Sequence, residues 1–216
     1  MSLPEVFDQH LRRAIAARAV WIPGKPAQVG DIMVKRDDAF FKIGHISDFG
    51  ATLRSAEHAD ISLDLSSAKV KQRIFQAGVE LPDTAGLDLA AQATVKYEFS
   101  GKDQFVLKTP TLSGLSIQNM LEISNVLKDK PGWKHNKFFI VEETYGAADW
   151  SFIGTKESAS GFELAGSGSG ILSFLSAGLS VGLKSSGNVA VKIMGKGGMI
   201  GMNVVRINED GQLNHG

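Results

Sequence analysis

Cysteine is absent from the chain. That excludes a disulfide framework, a thiolate metal site, a cysteine nucleophile and S-acylation, and it leaves the redox compartment open. Net charge is absent too, with 23 Lys and Arg against 23 Asp and Glu. A neutral chain has no overall field to attract phosphate backbones, so nucleic acid is not an expected partner. No strongly apolar run reaches the ~18 residues of a transmembrane helix. The N-terminus lacks the basic and then apolar pattern of a secretory leader, so the soluble form is expected in the cytoplasm.

Catalytic chemistry has little to work with. The histidines are His10, His45, His58, His135 and His215, and none stands in a zinc-binding spacing. His58 with Asp60, and Glu142 with Glu143, are the local groupings an acid, base or metal could use. Neighbouring strand residues face opposite sides, so the two glutamates would not share a ligand. The glycine runs at 166–170 and 195–198 match neither phosphate-binding fingerprint and read as turns. No enzyme activity, cofactor or metal is expected.

What is present is unevenly distributed. The 216 residues suit a single domain, 1–216, with a short C-terminal tail at 208–216. Residues 164–208 carry four basic and no acidic residues, and 11 of the 24 glycines fall between Gly161 and Gly201. A flexible linker would lack the aliphatic spacing of this segment. From Leu175 to Lys184 odd positions are apolar and even ones small or polar, and Val189, Val191 and Ile193 resume the odd parity after a Ser-Ser-Gly-Asn turn. That period of two predicts an amphipathic hairpin, with a further strand at Met199 to Ile207. Ile171, Leu175, Leu179 and Leu183 also fit a helical stripe, as suits a segment that changes secondary structure.

A second stretch has the same grammar. Leu87, Leu89, Ala91, Ala93, Val95, Tyr97 and Phe99 alternate with mostly polar partners, a Gly101-Lys102-Asp103 turn follows, and Phe105 and Leu107 return on the same parity. Helices are predicted over Pro4 to Val20 and Ser116 to Lys130, and strand pairs over Gly30 to Ile46 and Phe138 to Lys156. Interspersed strands and helices without a βαβ rhythm predict an α+β fold: a mainly antiparallel twisted sheet with flanking helices and two long amphipathic β-hairpins.

Such hairpins admit two readings. Alternation commonly makes one face of an ordinary soluble sheet, which would give a β-rich binding or protein-interaction module without membrane activity. Ten residues at ~3.3 Å each, tilted near 45°, also match the ~25 Å apolar band of a membrane barrel. Four strands cannot close a barrel in lipid, so this second reading needs many subunits side by side. Lys35 and Arg36 followed by Phe40 and Phe41, with Arg12, Arg13 and Arg18 on the first helix, suit anionic headgroups.

In order, these elements resemble the pore-forming domain of the gasdermin family, in particular its short single-domain members. The resemblance rests on element order and on phrases such as Lys137-Phe138-Phe139-Ile140-Val141-Glu142-Glu143-Thr144 and Ser160-Gly161-Phe162-Glu163-Leu164. It implies a cell-death effector that binds acidic phospholipid, assembles as a homo-oligomer or with a related chain, and opens a large membrane pore. It makes Arg12, Arg13, Arg18, Lys35, Arg36, Phe40 and Phe41 lipid-contact candidates, joined by Lys184, Lys192 and Lys196. Gln92, Thr94, Lys96 and Glu98 would face pore water, opposite lipid-facing Leu89, Ala91, Ala93, Val95 and Tyr97. Two family features have no counterpart here: the large inhibitory C-terminal domain of long members and the acylated N-terminal cysteine of many short ones.

Overall fold

The first helix is set by its opening turn. In α1 (Leu3–Ile15), Pro4 has a helical φ where no N–H partner is needed, and Ser2 N donates to Glu5 Oε2 at 2.6 Å. The helix stops short of the predicted Val20 because Ala16 turns left-handed at φ 55° and its N–H closes on Arg12 O. The chain then enters a sheet as β1 (Arg18–Ala19), with Val20 N donating to Ile200 O at 2.9 Å. Arg18 is therefore a strand residue, not part of the helix.

The structure is a computed structural model that describes residues 2–21, 27–36, 39–135, 137–169, 183–184 and 191–215, with the backbone alone for 39, 183–184 and 191–196. The remaining strands begin with β2 (Asp31–Arg36), β3 (Ala39–His45), β4 (Ser55–Glu57), β5 (Ile61–Ser66), β6 (Val70–Gln76) and β7 (Val79–Leu81). After β8 (Gln92–Phe99) and β9 (Gln104–Ile117) comes α2 (Met120–Leu127). The chain ends with β10 (Phe138–Ala147), β11 (Asp149–Thr155), β12 (Ser160–Ser167), β13 (Leu183–Lys184), β14 (Val191–Lys196), β15 (Met199–Ile207) and β16 (Leu213–His215). Among the described residues all pairings are antiparallel and form two sheets, one built on the order β1-β15-β10-β9-β11-β14 and one of order β13-β12-β8-β6-β7. The architecture is the α+β, mainly antiparallel one that the sequence predicts.

Three local predictions change. Alternation from Leu87 to Ser100 becomes a strand only from Gln92, because Gln76 holds Asp88 through two 2.8 Å hydrogen bonds and the Asp88 side chain accepts from Ala90 N. Helix α2 starts at Met120, not Ser116, because Ser116 and Ile117 still pair with β4 and Ser116 also pairs with β10. The expected hairpin through Gly101 to Asp103 does not pair with itself. Instead β8 lies in the smaller sheet, and β9 in the larger. The second predicted hairpin lies largely outside the described residues, but its two described pieces, β13 and β14, are likewise in different sheets.

These separations follow one rule. In the larger sheet β5, β9, β11 and β14 are successive neighbours, and in the smaller one β6, β8, β12 and β13 are. Each strand of the first series is joined directly in sequence to its counterpart in the second. The pairs β5–β6, β8–β9 and β11–β12 are thus three long strands of one antiparallel sheet, folded over at a shared crease, and β13 and β14 border β12 and β11 as the described pieces of a fourth. At three described crossings a non-glycine residue has positive φ: Lys69 at 69°, Asp103 at 54° and Ala159 at 56°.

Buried polar side chains hold the crease shut. Ser67 Oγ accepts from Phe105 N at 2.9 Å, Gln104 Nε2 donates to Ala68 O at 2.6 Å, and the Thr155 and Ser160 hydroxyls meet at 2.7 Å. The concave side encloses Ile74, Val95, Tyr97, Phe99, Phe162 and Leu164 with Val106 and Ile153. On the convex side α1 lays Leu3, Phe7 and Leu11 over Phe105, Leu107, Trp150 and Phe152. Phe7 meets Phe105 and Phe152 edge-on at 5.3 and 5.2 Å. Pro110, which cannot donate to a ladder, sits where β9 changes neighbour from β11 to β10.

Left-handed alanine costs roughly 1–2 kcal/mol, and glycine forfeits part of the gain through its freer unfolded state. Ala159→Gly is therefore expected to stabilise the folded chain by about 0.5 kcal/mol, a rise of ~1–2 °C in Tm. A calorimetric scan checks this, and a lowered Tm contradicts the conformation assigned to the crease.

Candidate functional site

The hairpin β2–β3 projects from the edge of β10, where Val34 pairs with Phe138 and Met33 with Phe139. Burial falls off along β2 towards its tip: Asp31, Ile32 and Met33 are buried, Val34 is partly exposed, and Lys35 and Arg36 are exposed. Val34, Lys35, Arg36, Lys137 and Phe139 line an open cleft of about 400 Å³. Phe40 packs edge-on against Phe139 at 5.1 Å, and the Arg206 guanidinium lies 5.3 Å from the same ring. Phe41, half exposed, lies under the Arg36 guanidinium at 5.8 Å, and Ile43 beside it is equally exposed. Cations ringing a solvent-facing aromatic and aliphatic edge can take a phosphate group while the apolar side chains enter a lipid interface.

Other predicted contacts lie elsewhere. Arg12 is bonded to Asp8 at 2.7 Å on α1, Arg13 beside it is exposed, and the backbone of Arg18 pairs opposite Met202. Burial, with Arg12 nearby, lowers the pKa of Arg18, and its Nε is buried without a hydrogen-bond partner. Lys184 is on β13, Lys192 and Lys196 on β14. Lys137, which lines the cleft, and Arg206, which lies over the Phe139 ring, were not among the predicted contacts. The signal for Lys137 lay in its place directly before the Phe138-Phe139 strand start, while Arg206 sits in the acid-free segment where strand parity alone does not mark it.

The predicted water-facing residues do share one face. Gln92, Thr94, Lys96 and Glu98 lie on the outer side of β8, while Ala93, Val95 and Tyr97 are buried on the inner side. Leu89 precedes the strand and is half exposed. The outer face is laced by Lys96–Glu163 at 3.1 Å and by Arg73 between Glu98 at 3.5 Å and Glu80 at 3.6 Å. Exposed pairs of this kind add little stability.

A third grouping surrounds His58. Its Nε2 meets Ser116 Oγ at 2.8 Å and its Nδ1 lies 3.4 Å from Glu143, which accepts from Asn203 at 2.7 Å. Gly114 leaves room for the ring, since a Cβ there would come within 3.1 Å of His58. Ser116 already accepts from Gln118 at 3.1 Å, and β9 is paired on both sides at this point. The ladder thus uses backbone donors that an oxyanion would need. The cluster fastens the chain after β4 to the sheet. Asp60 and Glu142 turn away, to Ser113 and His215.

No protein-family model matches the sequence, and no curated protein matches it. Among solved structures, a bacterial gasdermin from Bradyrhizobium tropiciagri is similar, with a TM-score of 0.41 and 14% identity over 97% of this chain and 90% of that one.

Burial, aided by a hydrogen bond to Glu143, pushes the Tyr145 phenol up to about 12 from 10.0. The native state keeps this proton at pH values where the unfolded chain loses it. The resulting stability is complete below pH ~10 and lost as pH rises towards 12. Urea midpoints between pH 9 and 12 should fall less steeply in Tyr145→Phe; an unchanged slope contradicts the assignment.

Proposed function

We propose that this chain forms membrane pores without catalytic residues. It docks on acidic phospholipid through the cleft around Phe139, associates with further copies or a related chain, and straightens its long strands into two membrane-crossing hairpins, an action suited to cell death. The gasdermin resemblance of the sequence implies the same behaviour.

The observation that carries this reading is a mismatch of phase at the crease. Along β8 and β9 the odd positions Ala93, Val95, Tyr97, Phe99, Phe105 and Leu107 are apolar, yet Phe99 points into the concave core and Phe105 onto α1. Along β11 and β12 the even positions Trp150, Phe152, Phe162 and Leu164 are apolar, with the same change of side. In the fourth, the backbone of Leu183 pairs opposite Leu164 and that of Ile193 opposite Phe152. Two adjacent strands thus keep one apolar parity on both sides of a crossing where the fold sends the halves to opposite cores, with Gly101 and Asp103 in the first stripe and Lys156, Ser158 and Ser160 in the second at the crossing itself. Straightened, each would carry two apolar blocks on one face and a mostly polar opposite face, the alternation of a lipid-to-water barrel wall. The first long strand differs, since Leu63 and Leu65 are odd and Ile74 even.

Water and lipid favour opposite states. The folded sheet hides both halves of each stripe, and exposing one large apolar side chain costs ~1.5–3 kcal/mol. Hydrocarbon removes that cost but penalises unpaired strand edges by several kcal/mol per group, so straightening requires neighbouring copies. Val79 and Leu89, 64% and 50% exposed, sit at the hairpin tip that would enter first.

Vesicle leakage tests the proposal. Dye release is expected from vesicles rich in anionic lipid and not from neutral ones. Arg36→Glu with Lys137→Glu should reduce release at least ~10-fold, since each cation near such a surface contributes about 1 kcal/mol. Absence of release, or release indifferent to lipid charge and to both substitutions, contradicts it.

A further inference from the structure

Cross-strand register assigns this channel a charge preference. On the outer face of the smaller sheet, Arg73 pairs opposite Lys96, Lys96 opposite Glu163, and Glu163 opposite Lys184. One transverse row, one residue from each of the four long strands, therefore holds three cations and a single carboxylate. The flanking rows on this face compensate only in part. Towards the crease stand Lys71, Glu98 and Gly161, and towards the tips Glu80 of β7, Phe75, Thr94 and Ala165, a single net negative charge against the row's two positive ones. Glu163 contacts Lys96 at 3.1 Å, and Arg73 turns to Glu98 and Glu80 in other rows.

Resting on the pore-forming reading above, we propose that the conduit favours anions over cations, because this row closes into a ring carrying two net positive charges per subunit. A ring of fixed charge at one depth repels co-ions and concentrates counter-ions, as charged rings do in other channels. Its reach is the Debye length, ~30 Å at 0.01 M salt and ~10 Å at 0.1 M, so selectivity in a wide pore depends on salt. Asp83 and Asp88 lie beyond the strands at the hairpin tip, and Glu80 on β7 is the carboxylate nearest the row from that side, 3.6 Å from Arg73.

The test is the reversal potential of the full chain in planar bilayers under a KCl gradient near 0.01 M, with every variant in the same lipid so that headgroup charge biases all equally. Chloride should exceed potassium in permeability by roughly twofold or more, declining towards parity as salt screens the ring. Arg73→Glu with Lys96→Glu turns the row from net positive to net negative and should invert the preference. Glu163→Gln adds one positive charge per subunit and should strengthen it, and decides the matter alone if the double variant fails to assemble. A potassium-preferring channel, or a preference moved by neither variant, overturns the inference and leaves the pore. Absence of any conductance overturns the pore-forming reading, and the inference with it.

Discussion

The crease is the constraint on which the rest depends. Three described crossings pass through it, so each half of the sheet fixes the register of the other, and two of the hydrophobic clusters are its concave and convex sides. The bend uses three left-handed non-glycine residues and hides Ser67, Gln104, Thr155 and Ser160. Polar groups buried in this way must be satisfied, because an unpaired one costs ~1–3 kcal/mol. Ser67 and Gln104 pair with backbone of the neighbouring crossing, so neither of the first two long strands can straighten without stranding groups on the other, while Thr155 and Ser160 pair within their own crossing. The first two crossings act as one unit.

Helix α1 completes that unit from outside. Phe7 wedges between Phe105 and Phe152, whose rings stack on each other at 5.6 Å across β9 and β11. As long as the helix is seated, the convex half of each apolar stripe has a better place than water. The two hairpin tips are tied as well, with Gly168 N bonded to Ala91 O at 2.7 Å and Ser169 N to Leu89 O at 2.9 Å. A Cβ on Gly168 would lie 2.0 Å from Asp88 O, so this close approach needs glycine. On the proposed pore-forming reading, docking at the Phe139 cleft would lead to unseating of α1 and opening of the crease, because the membrane that meets the cleft also offers hydrocarbon to the stripes the helix covers.

Much of this was legible in the sequence, for a definable reason. Period-two alternation showed β8 and its partition into buried Val95 and Tyr97 against exposed Lys96 and Glu98, and parity placed Phe105 and Leu107 in line with them. Pairing was not legible. Alternation says which face a residue takes within a strand but not which strand lies beside it, so the turn at Gly101 to Asp103 read as a hairpin tip where the chain in fact changes sheet. Strands β4 to β7 were missed because 55–81 mixes apolar and charged residues on an edge exposed along much of its length, as Ile61 and Val79 show. The end of α1 turned on Ala16, a residue of high helix propensity held left-handed by the sheet pairing that follows it. Of the contact residues, the Lys35 to Phe41 hairpin was visible as charge beside aromatics, whereas Lys137 and Arg206 join it only through the pairing of β10 with β2 and β15.

Because the chain has no cysteine, the crease can be locked with a single engineered pair. Thr155 and Ser160 hydroxyls touch in the bent form, whereas five residues of straight strand would separate these positions by ~16 Å, beyond the ~7 Å Cα span of a disulfide. Anionic-vesicle leakage by Thr155→Cys with Ser160→Cys, oxidised and then reduced, is the most direct measurement. Leakage abolished by oxidation and restored by reductant is the predicted result; equal leakage from both forms would show that the sheet permeabilises membranes, if at all, without opening.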